Sequence, residues 1–307
     1  MKKRNPRLLI TLVTACLLIT VIIFRPWSLL QNQSNPIGFA PPVNQAFDPD
    51  RAFTHVEQQV SLGSRTPGSL AHKQVIEYIS SQLVETGWQV ELQKGEYNQQ
   101  PLTNIIAKKS SDSPQIILAA HYDSRFWADQ DENLSLREIP VLGANDGASG
   151  VAVLLELARV LSDETTQSVW LVFFDAEDQG RIPGWDWIQG SQYFADQMTF
   201  SPEAVVVVDM VGDADLQLPI EQTSTPALVE EIWTIAGEAG FSQYFLNSPG
   251  YAILDDHKPF LDRNIPAVDI IDFDYPYWHT SQDTLDKVSP HSLYVVGETL
   301  RLWLNQR

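Results

Sequence analysis

Four apolar segments of this chain each lead into a residue that can bind a metal ion, and this pattern restricts the fold most strongly. The segment Val169–Phe174 is rich in β-forming residues and too short for a helix, so it predicts a buried central strand of a parallel sheet. Three acids follow it, Asp175, Glu177 and Asp178. Ligands of open α/β sheets bind beyond the carboxyl ends of the strands. Taken alone, these acids would also fit a solvated turn.

Three further segments argue against a simple acidic turn. Residues 115–121 end on His121, residues 204–209 end on Asp209, and residues 267–271 lead within a few residues to His279. The carboxyl ends of parallel strands meet at one edge of a sheet, so we expect these side chains to converge. Histidine and carboxylate ligands without a thiolate are typical of a hydrolytic zinc site that keeps one position open.

Composition and element order predict one acidic α/β domain. Acids outnumber bases 39 to 20 in 307 residues, the formal charge is −19, and no basic cluster follows the N-terminus, which argues against nucleic-acid binding. The single cysteine, Cys16, lies in an N-terminal apolar segment, so no disulfide is expected in the folded part. Strands alternate with helices, which predicts a three-layer α/β/α sandwich with a mixed, mostly parallel sheet in residues 50–307.

The N-terminus predicts a membrane anchor. Four basic residues precede an uncharged apolar run at residues 8–24, which is at the short end of what spans a bilayer. We expect residues 1–27 to anchor the protein, residues 28–49 to be a tether, and the domain to lie on the non-cytoplasmic side. A cleaved signal peptide is the main competing interpretation, but no typical cleavage site follows the apolar run. A secreted or a lipid-anchored form, the latter through Cys16, remains an alternative.

Periodicity predicts the other elements. Helices are expected near residues 50–62, 70–86, 151–161, 191–197, 225–240 and 289–304, and two antiparallel edge strands near residues 88–97 and 102–109. His55 and His72 fall on the first two helices, far from any strand end, and are predicted at the surface. His257 and His291 are interpreted as structural.

Six short motifs, in chain order, resemble the zinc aminopeptidase family (metallopeptidase family 28) that also contains the glutaminyl-peptide cyclotransferases. Each motif alone is weak, but six in this order are specific, and the resemblance runs from about residue 56 to the C-terminus. The motifs are His121-Tyr-Asp-Ser124, Asp146 within residues 143–150, Glu177-Asp178, Asp209-Met210, Asp255-Asp256-His257 with Pro259-Phe260, and Trp278-His279-Thr280.

The resemblance implies a zinc exopeptidase fold and a metal centre. Its ligand sets are Asp146, Asp178 and His279 for a catalytic zinc, and His121 and Asp209, with Asp146 bridging, for a second zinc in two-metal members. Glu177 would be the general base, next to the metal but not bound to it. The family usually has glutamate where this chain has Asp178, so this ligand is one methylene shorter.

The resemblance also implies roles around the metal. Asp256 would bind the free ammonium of a peptide N-terminus, although it could instead cap the following helix. The aromatic residues Trp185, Trp187 and Trp278 are predicted to wall the substrate pocket, together with Phe273. Asp123 is expected to orient His121 through its other ring nitrogen.

Two enzyme activities fit these motifs. The aromatic insertion at residues 179–189 resembles the cyclotransferases, in which the α-amine of an N-terminal glutamine attacks its own side-chain amide and releases ammonia. Residues 146–150 and the complete set of two-metal ligands look more like the aminopeptidases, in which Glu177 would activate a zinc-bound water. We favour the cyclotransferase. A non-catalytic binding ectodomain is a third possibility, but such proteins normally lose ligands that are present here.

Overall fold

The computed structural model describes residues 46–110 and 112–307. The α-helices are α1 Pro49–Ser61, α2 Leu70–Glu85, α3 Ala148–Val160, α4 Asp163–Thr166, α5 Gln189–Gln197, α6 Pro226–Glu238, α7 Lys258–Leu261 and α8 Pro290–Leu304. The strands are β1 Gln89–Tyr97, β2 Gln100–Lys108, β3 Ile116–His121, β4 Val169–Phe174, β5 Ala204–Asp209, β6 Leu218–Ile220, β7 Phe245–Pro249 and β8 Ala267–Ile271.

The main sheet is mixed and mostly parallel, as predicted. Its order is β1-β2-β4-β3-β5-β8. The four strands β4, β3, β5 and β8 are parallel, while the hairpin β1-β2 adds antiparallel to β4 at one edge. The residues of β3, β4, β5 and β8 are all buried, because helices cover both faces of a parallel sheet.

Alternate residues of the central strands face two different cores, and this gives the three layers. On one face, Leu118 and Leu171 belong to a large core shared with α1, α2, α3, α6 and α8. On the other face, Val172 packs in a smaller core with Phe194 of α5 and Phe260 of α7. The predicted three-layer α/β/α sandwich is therefore confirmed.

The folded unit begins earlier than residue 50. Phe47 is only 2% exposed and belongs to the large core, although the sequence placed it in the tether. The side chain of Asp48 accepts hydrogen bonds from the backbone N–H groups of Asp50 and Arg51, which caps α1. The proposed anchor, residues 1–27, lies outside the described residues. Within the part of the chain that is described, no helix combines the length and apolarity needed to cross a bilayer.

Two predictions about histidines were wrong. His55 and His72 are 8% and 7% exposed, so neither is a surface residue. Nδ1 of His55 lies 2.6 Å from the hydroxyl of Tyr78, and Nε2 of His72 lies 2.7 Å from a carboxylate oxygen of Asp175. Each imidazole is buried because a polar partner from another part of the chain meets it, which helical periodicity does not reveal.

The sequence also missed a second small sheet. Strands β6 and β7 pair in parallel as a separate two-stranded sheet. Both are short, and β7 is largely exposed, so neither produces a strong apolar pattern.

Candidate metal centre and active site

The parallel strands carry the proposed ligands to one edge of the sheet. His121 is the last residue of β3 and Asp209 the last of β5, while Asp178 follows β4 by four positions. Asp146 lies just before α3, and His279 lies in the loop after β8 with a left-handed backbone (φ 54°). Asp146 does not cap α3, since Gly147 occupies the cap position and no side chain bonds there.

These side chains form two groups that share Asp146, and the ligand atoms within each group lie within 4.8 Å of one another. In the first group, Nε2 of His121 is 3.1 Å from an oxygen of Asp146 and 3.1 Å from an oxygen of Asp209. In the second, Nε2 of His279 is 2.8 Å from Asp178 Oδ1 and 3.8 Å from Asp146 Oδ2. Both groups are buried. The short distances show that the five proposed ligands converge as expected.

The second group fits a metal ion better than it fits a set of hydrogen bonds. Nε2 of His279 is buried and has no hydrogen-bond partner among the described residues, although Asp178 lies 2.8 Å away. Two ligands that face a common point produce such a short but poorly directed contact. One imidazole and two carboxylates also match the ligand chemistry of catalytic zinc sites with an open position.

The carboxylates around this point repel one another. Burial and the neighbouring Asp146 raise the pKa of Asp178 to about 6. Burial and the nearby Asp255 raise the pKa of Asp209 to about 7. The pKa of Glu177 lies well above its usual range, because the side chain is buried and Asp255 and Asp178 act in the same direction. A divalent cation would offset this excess of negative charge.

Asp123 holds the turn that carries the acids. Its carboxylate accepts hydrogen bonds from the backbone N–H groups of Glu177 (3.1 Å) and Asp178 (3.3 Å) and from the side chain of Gln179 (2.8 Å). It also faces Nδ1 of His121 at 3.4 Å. The residue expected to orient His121 therefore also fixes the backbone of the proposed base, Glu177, and of the proposed ligand, Asp178.

Several supporting residues were missed from the sequence. Asp283 accepts hydrogen bonds from the backbone N–H groups of Asn145 (2.8 Å) and Asp146 (3.1 Å), which holds the residue shared by the two candidate ligand groups in place. Asp129 lies 3.4 Å from Nδ1 of His279, and Arg125 lies 3.5 Å from Asp178. Arg125 directly follows the histidine motif, which was a usable signal. Asp129 and Asp283 stand in irregular segments that offered none.

Burial alone would lower the pKa of His279, but Asp178 and Asp129 raise it to about 9. An imidazole must be neutral to bind a metal. Zinc binding at this group is therefore expected to displace a proton.

A cavity of about 270 Å³ opens onto the candidate metal ligands Asp146, Asp178, Asp209 and His279. Its wall includes Trp187, Trp278 and Phe273, together with Glu177 and Asp255. The ring of Trp278 stacks on His279 at 3.7 Å between centroids, and Trp187 stacks on the same imidazole at 5.9 Å. Two of the three predicted tryptophans thus line the cavity.

The structure places two other predicted residues outside this cavity. Trp185 packs against Phe126 and is not part of the cavity wall. Asp256 is fully buried and also absent from the wall, where its neighbour Asp255 is found instead. Asp256 does not cap α7 either, since His257 occupies that position. Among the described residues, neither oxygen of Asp256 has a hydrogen-bond partner.

Comparisons with known proteins identify the family of this chain. The profile of peptidase family M28 matches residues 104–304. The glutaminyl-peptide cyclotransferase of Bos taurus is 25% identical over 285 residues, which cover 78% of this chain and 76% of the relative.

Two solved structures extend the comparison. A glutaminyl cyclase from Porphyromonas gingivalis superposes with a TM-score of 0.80 at 32% identity, covering 85% of this chain and 98% of that one. A Zn-dependent exopeptidase from Parabacteroides distasonis has a TM-score of 0.78 at 32% identity, covering 86% and 99%. The profile spans well over half of the chain, and the chain therefore belongs to peptidase family M28.

Proposed function

We propose that this protein is a zinc-dependent glutaminyl-peptide cyclotransferase, which converts an N-terminal glutamine to pyroglutamate and releases ammonia. The observation that supports it best is the cavity itself, where Glu177 lies beside the metal group and Trp187 and Trp278 both stack on the ligand His279. Bulky aromatic walls favour a folded-back glutamine whose amine lies near its own amide carbon, and they exclude water that would compete. The named cyclotransferase relatives also support it.

Asp146, Asp178 and His279 are the proposed ligands of one catalytic zinc. When bound, zinc supplies a Lewis acid at the side-chain carbonyl of the substrate glutamine. His121 and Asp209 would hold a second ion together with Asp146. Asp178 is shorter than the glutamate usual in the family, and Arg125 Nη1 donates to its backbone carbonyl at 2.9 Å, which fixes the position of this ligand.

Glu177 is the proposed proton carrier. Burial and the nearby acids raise the pKa of Glu177, which makes its carboxylate a stronger base than an exposed one. The α-amine nitrogen attacks the amide carbon of the glutamine side chain, and Glu177 accepts the proton that this nitrogen loses. The C–N bond of the amide then breaks, Glu177 returns the proton to the leaving nitrogen, and ammonia departs from the closed ring.

An aminopeptidase is the second candidate. It is favoured by the intact group of His121, Asp146 and Asp209, which a two-metal hydrolase needs. In that reaction Glu177 takes a proton from water rather than from the substrate amine. The metal group and the base would be the same, so only the nucleophile distinguishes the two activities.

We further propose that residues 1–27 anchor the enzyme in a membrane, with the catalytic domain on the non-cytoplasmic side. The support is the basic flank before the apolar residues 8–24 and the polar segment that follows them. A secreted or lipid-anchored form is the alternative. Alkaline extraction of membranes separates an integral anchor, which stays in the pellet, from a released protein.

The decisive experiment offers the zinc-loaded protein two peptides that differ only in beginning with glutamine or leucine. We expect ammonia and a pyroglutamyl peptide from the first, and little cleavage of the second. Free leucine released at a comparable rate, with no ammonia from the glutamine peptide, would replace the cyclotransferase with the aminopeptidase. Loss of either activity on chelation, and its return with zinc, would exclude a non-catalytic domain.

A further inference from the structure

Among the described residues, Arg181 has no hydrogen-bond or ion-pair partner, although the protein is strongly acidic. The other arginines of the described segments each make an ion pair or a hydrogen bond, mostly with carboxylates. Arg181 makes neither within the described chain, although acids outnumber bases 39 to 20. Its side chain is exposed. It is therefore a cation that is available to a ligand.

Arg181 lines the cavity that opens onto the metal centre, and no other lysine or arginine of the described residues does so. The acids Asp146, Glu177, Asp178 and Asp209 line the same cavity. The cavity thus combines an acidic metal-binding group with a single guanidinium. An unpaired guanidinium prefers a planar anion that can accept two parallel hydrogen bonds, above all a carboxylate.

The backbone around Arg181 is fixed. Gly180, on one side, accepts a hydrogen bond from Arg125 at 3.0 Å and packs so closely against Trp187 that a Cβ would lie 2.0 Å from its ring. Ile182, on the other side, is buried and donates to the carbonyl of Gln179 at 3.3 Å. The guanidinium therefore extends from a rigid part of the cavity wall.

Arg181 itself has a left-handed backbone, with φ 62°. This conformation is unfavourable for an L-residue, and glycine would adopt it without strain. Because the side chain of Arg181 is exposed, packing in the core does not offset this backbone strain. Strained residues of this kind cluster at functional sites, where the position of the side chain matters.

We propose that Arg181 forms a subsite for a carboxylate carried by the substrate beyond its N-terminal residue. The proposal rests on the proposed function, because that function places the N-terminal residue at Asp146, Asp178 and His279. Each following residue extends the peptide by at most about 3.3–3.6 Å, so the second and third residues are the ones that extend beyond the metal group, within the cavity that Arg181 lines. The carboxylate comes either from an acidic side chain there or from the C-terminus of a very short peptide.

Two pairs of substrates distinguish these sources in the zinc-loaded, full-length protein. The first pair is Gln-Glu-Phe-amide and Gln-Gln-Phe-amide, which differ in one charge and hardly in shape. The second pair is Gln-Ala with a free C-terminus and Gln-Ala-amide. The readout is the ratio of kcat/KM within each pair, measured by ammonia release for wild type, Arg181→Gln and Arg181→Lys.

We expect wild type to favour the carboxylate peptide of at least one pair by about two- to fivefold, since an exposed ion pair is worth that much. The preference resides in KM and falls in high salt. Arg181→Gln brings the ratio close to one, and Arg181→Lys retains part of it. Lys94→Gln is the matched control, because it removes the same charge from an exposed site on β1 and keeps the wild-type ratio.

Equal ratios in wild type and Arg181→Gln for both pairs would overturn the subsite while leaving the cyclotransferase intact. If no glutamine peptide releases ammonia, the proposed function fails instead. The same pairs beginning with leucine, followed by release of free leucine, then test Arg181. If neither series turns over, dissociation constants from calorimetry replace kcat/KM, and identical values for wild type and Arg181→Gln reject the subsite.

Discussion

Arg125 holds Asp129 through two parallel hydrogen bonds, from Nε to Oδ1 at 2.8 Å and from Nη2 to Oδ2 at 3.0 Å. The Asp129 carboxylate also faces Nδ1 of His279, and the guanidinium packs over the ring of Trp187 at 4.8 Å. This ion pair thus connects a proposed zinc ligand to the aromatic wall of the cavity. A carboxylate on the far nitrogen of a metal-binding histidine fixes the ring and makes it a better ligand.

Replacing Asp129 with asparagine should weaken zinc binding by about 10- to 100-fold, the usual cost of losing such a partner. The ring of His279 would lose its anionic partner, and Arg125 would lose its bidentate carboxylate. The measurement is the zinc dissociation constant in competition with a chelator. Asp163→Asn, at a residue whose side chain is 90% exposed, is the control. An unchanged zinc affinity in Asp129→Asn would refute the positioning role.

Variants of Glu177 and His279 should distinguish the loss of proton transfer from the loss of metal binding. Glu177→Gln removes the proton carrier while keeping the shape, so turnover should fall by about 10²- to 10⁴-fold with zinc content unchanged. His279→Ala removes a ligand, and zinc should be lost together with activity. Metal analysis of both purified variants tests this. Loss of zinc in Glu177→Gln would mean that the roles of Glu177 and Asp178 are exchanged.

The sequence predicted those parts of the site that depend on local pattern. His121 and Asp209 end strands that are almost entirely apolar, and this composition predicts that the strands are buried. The convergence of the two residues then followed from the topology of a parallel sheet. Asp129 and His279 are far apart in the chain and meet through irregular loops, which no periodicity describes. The choice between Asp255 and Asp256 depends on the direction of two adjacent side chains, and this is set by tertiary packing.

His55 provides a test of stability against pH. Burial, with smaller effects from Arg51 and Arg159, lowers its pKa to about 4 in the folded protein. The unfolded chain has an ordinary histidine pKa of about 6.5 and therefore binds a proton more readily below that pH. The contribution of neutral His55 to the free energy of unfolding is thus fully present above pH 6.5, and it is lost as the pH falls towards 4. From pH 7 to pH 5, His55 alone should cost about 2 kcal/mol.

The measurement is the free energy of unfolding in urea at pH 7 and pH 5, for wild type and His55→Gln. Other titrating groups are common to both proteins, so the variant should lose about 2 kcal/mol less between the two pH values. His72 provides a comparison of opposite sign. Burial alone would lower its pKa, but Asp175 raises it, so its contribution is present at low pH and is lost as the pH rises through the folded pKa. Equal pH dependence in wild type and His55→Gln would contradict the assignment.

The burial of Phe47 indicates that the catalytic domain begins at or before this residue. Its ring is buried against α8, so closely that a Cβ on Gly297 would lie 2.1 Å from it, and it contacts Tyr294 at 6.4 Å between ring centroids. A chain that starts at Ala46 should therefore fold and retain zinc without the proposed anchor. In that chain, Phe47→Ala should lower the free energy of unfolding by about 3–5 kcal/mol, the usual cost of emptying a buried phenylalanine site. Leu134→Ala, at a residue that is 73% exposed, should change it by no more than about 0.5 kcal/mol. If the two substitutions have similar small effects in urea denaturation, the domain begins after Phe47, as the sequence alone had predicted.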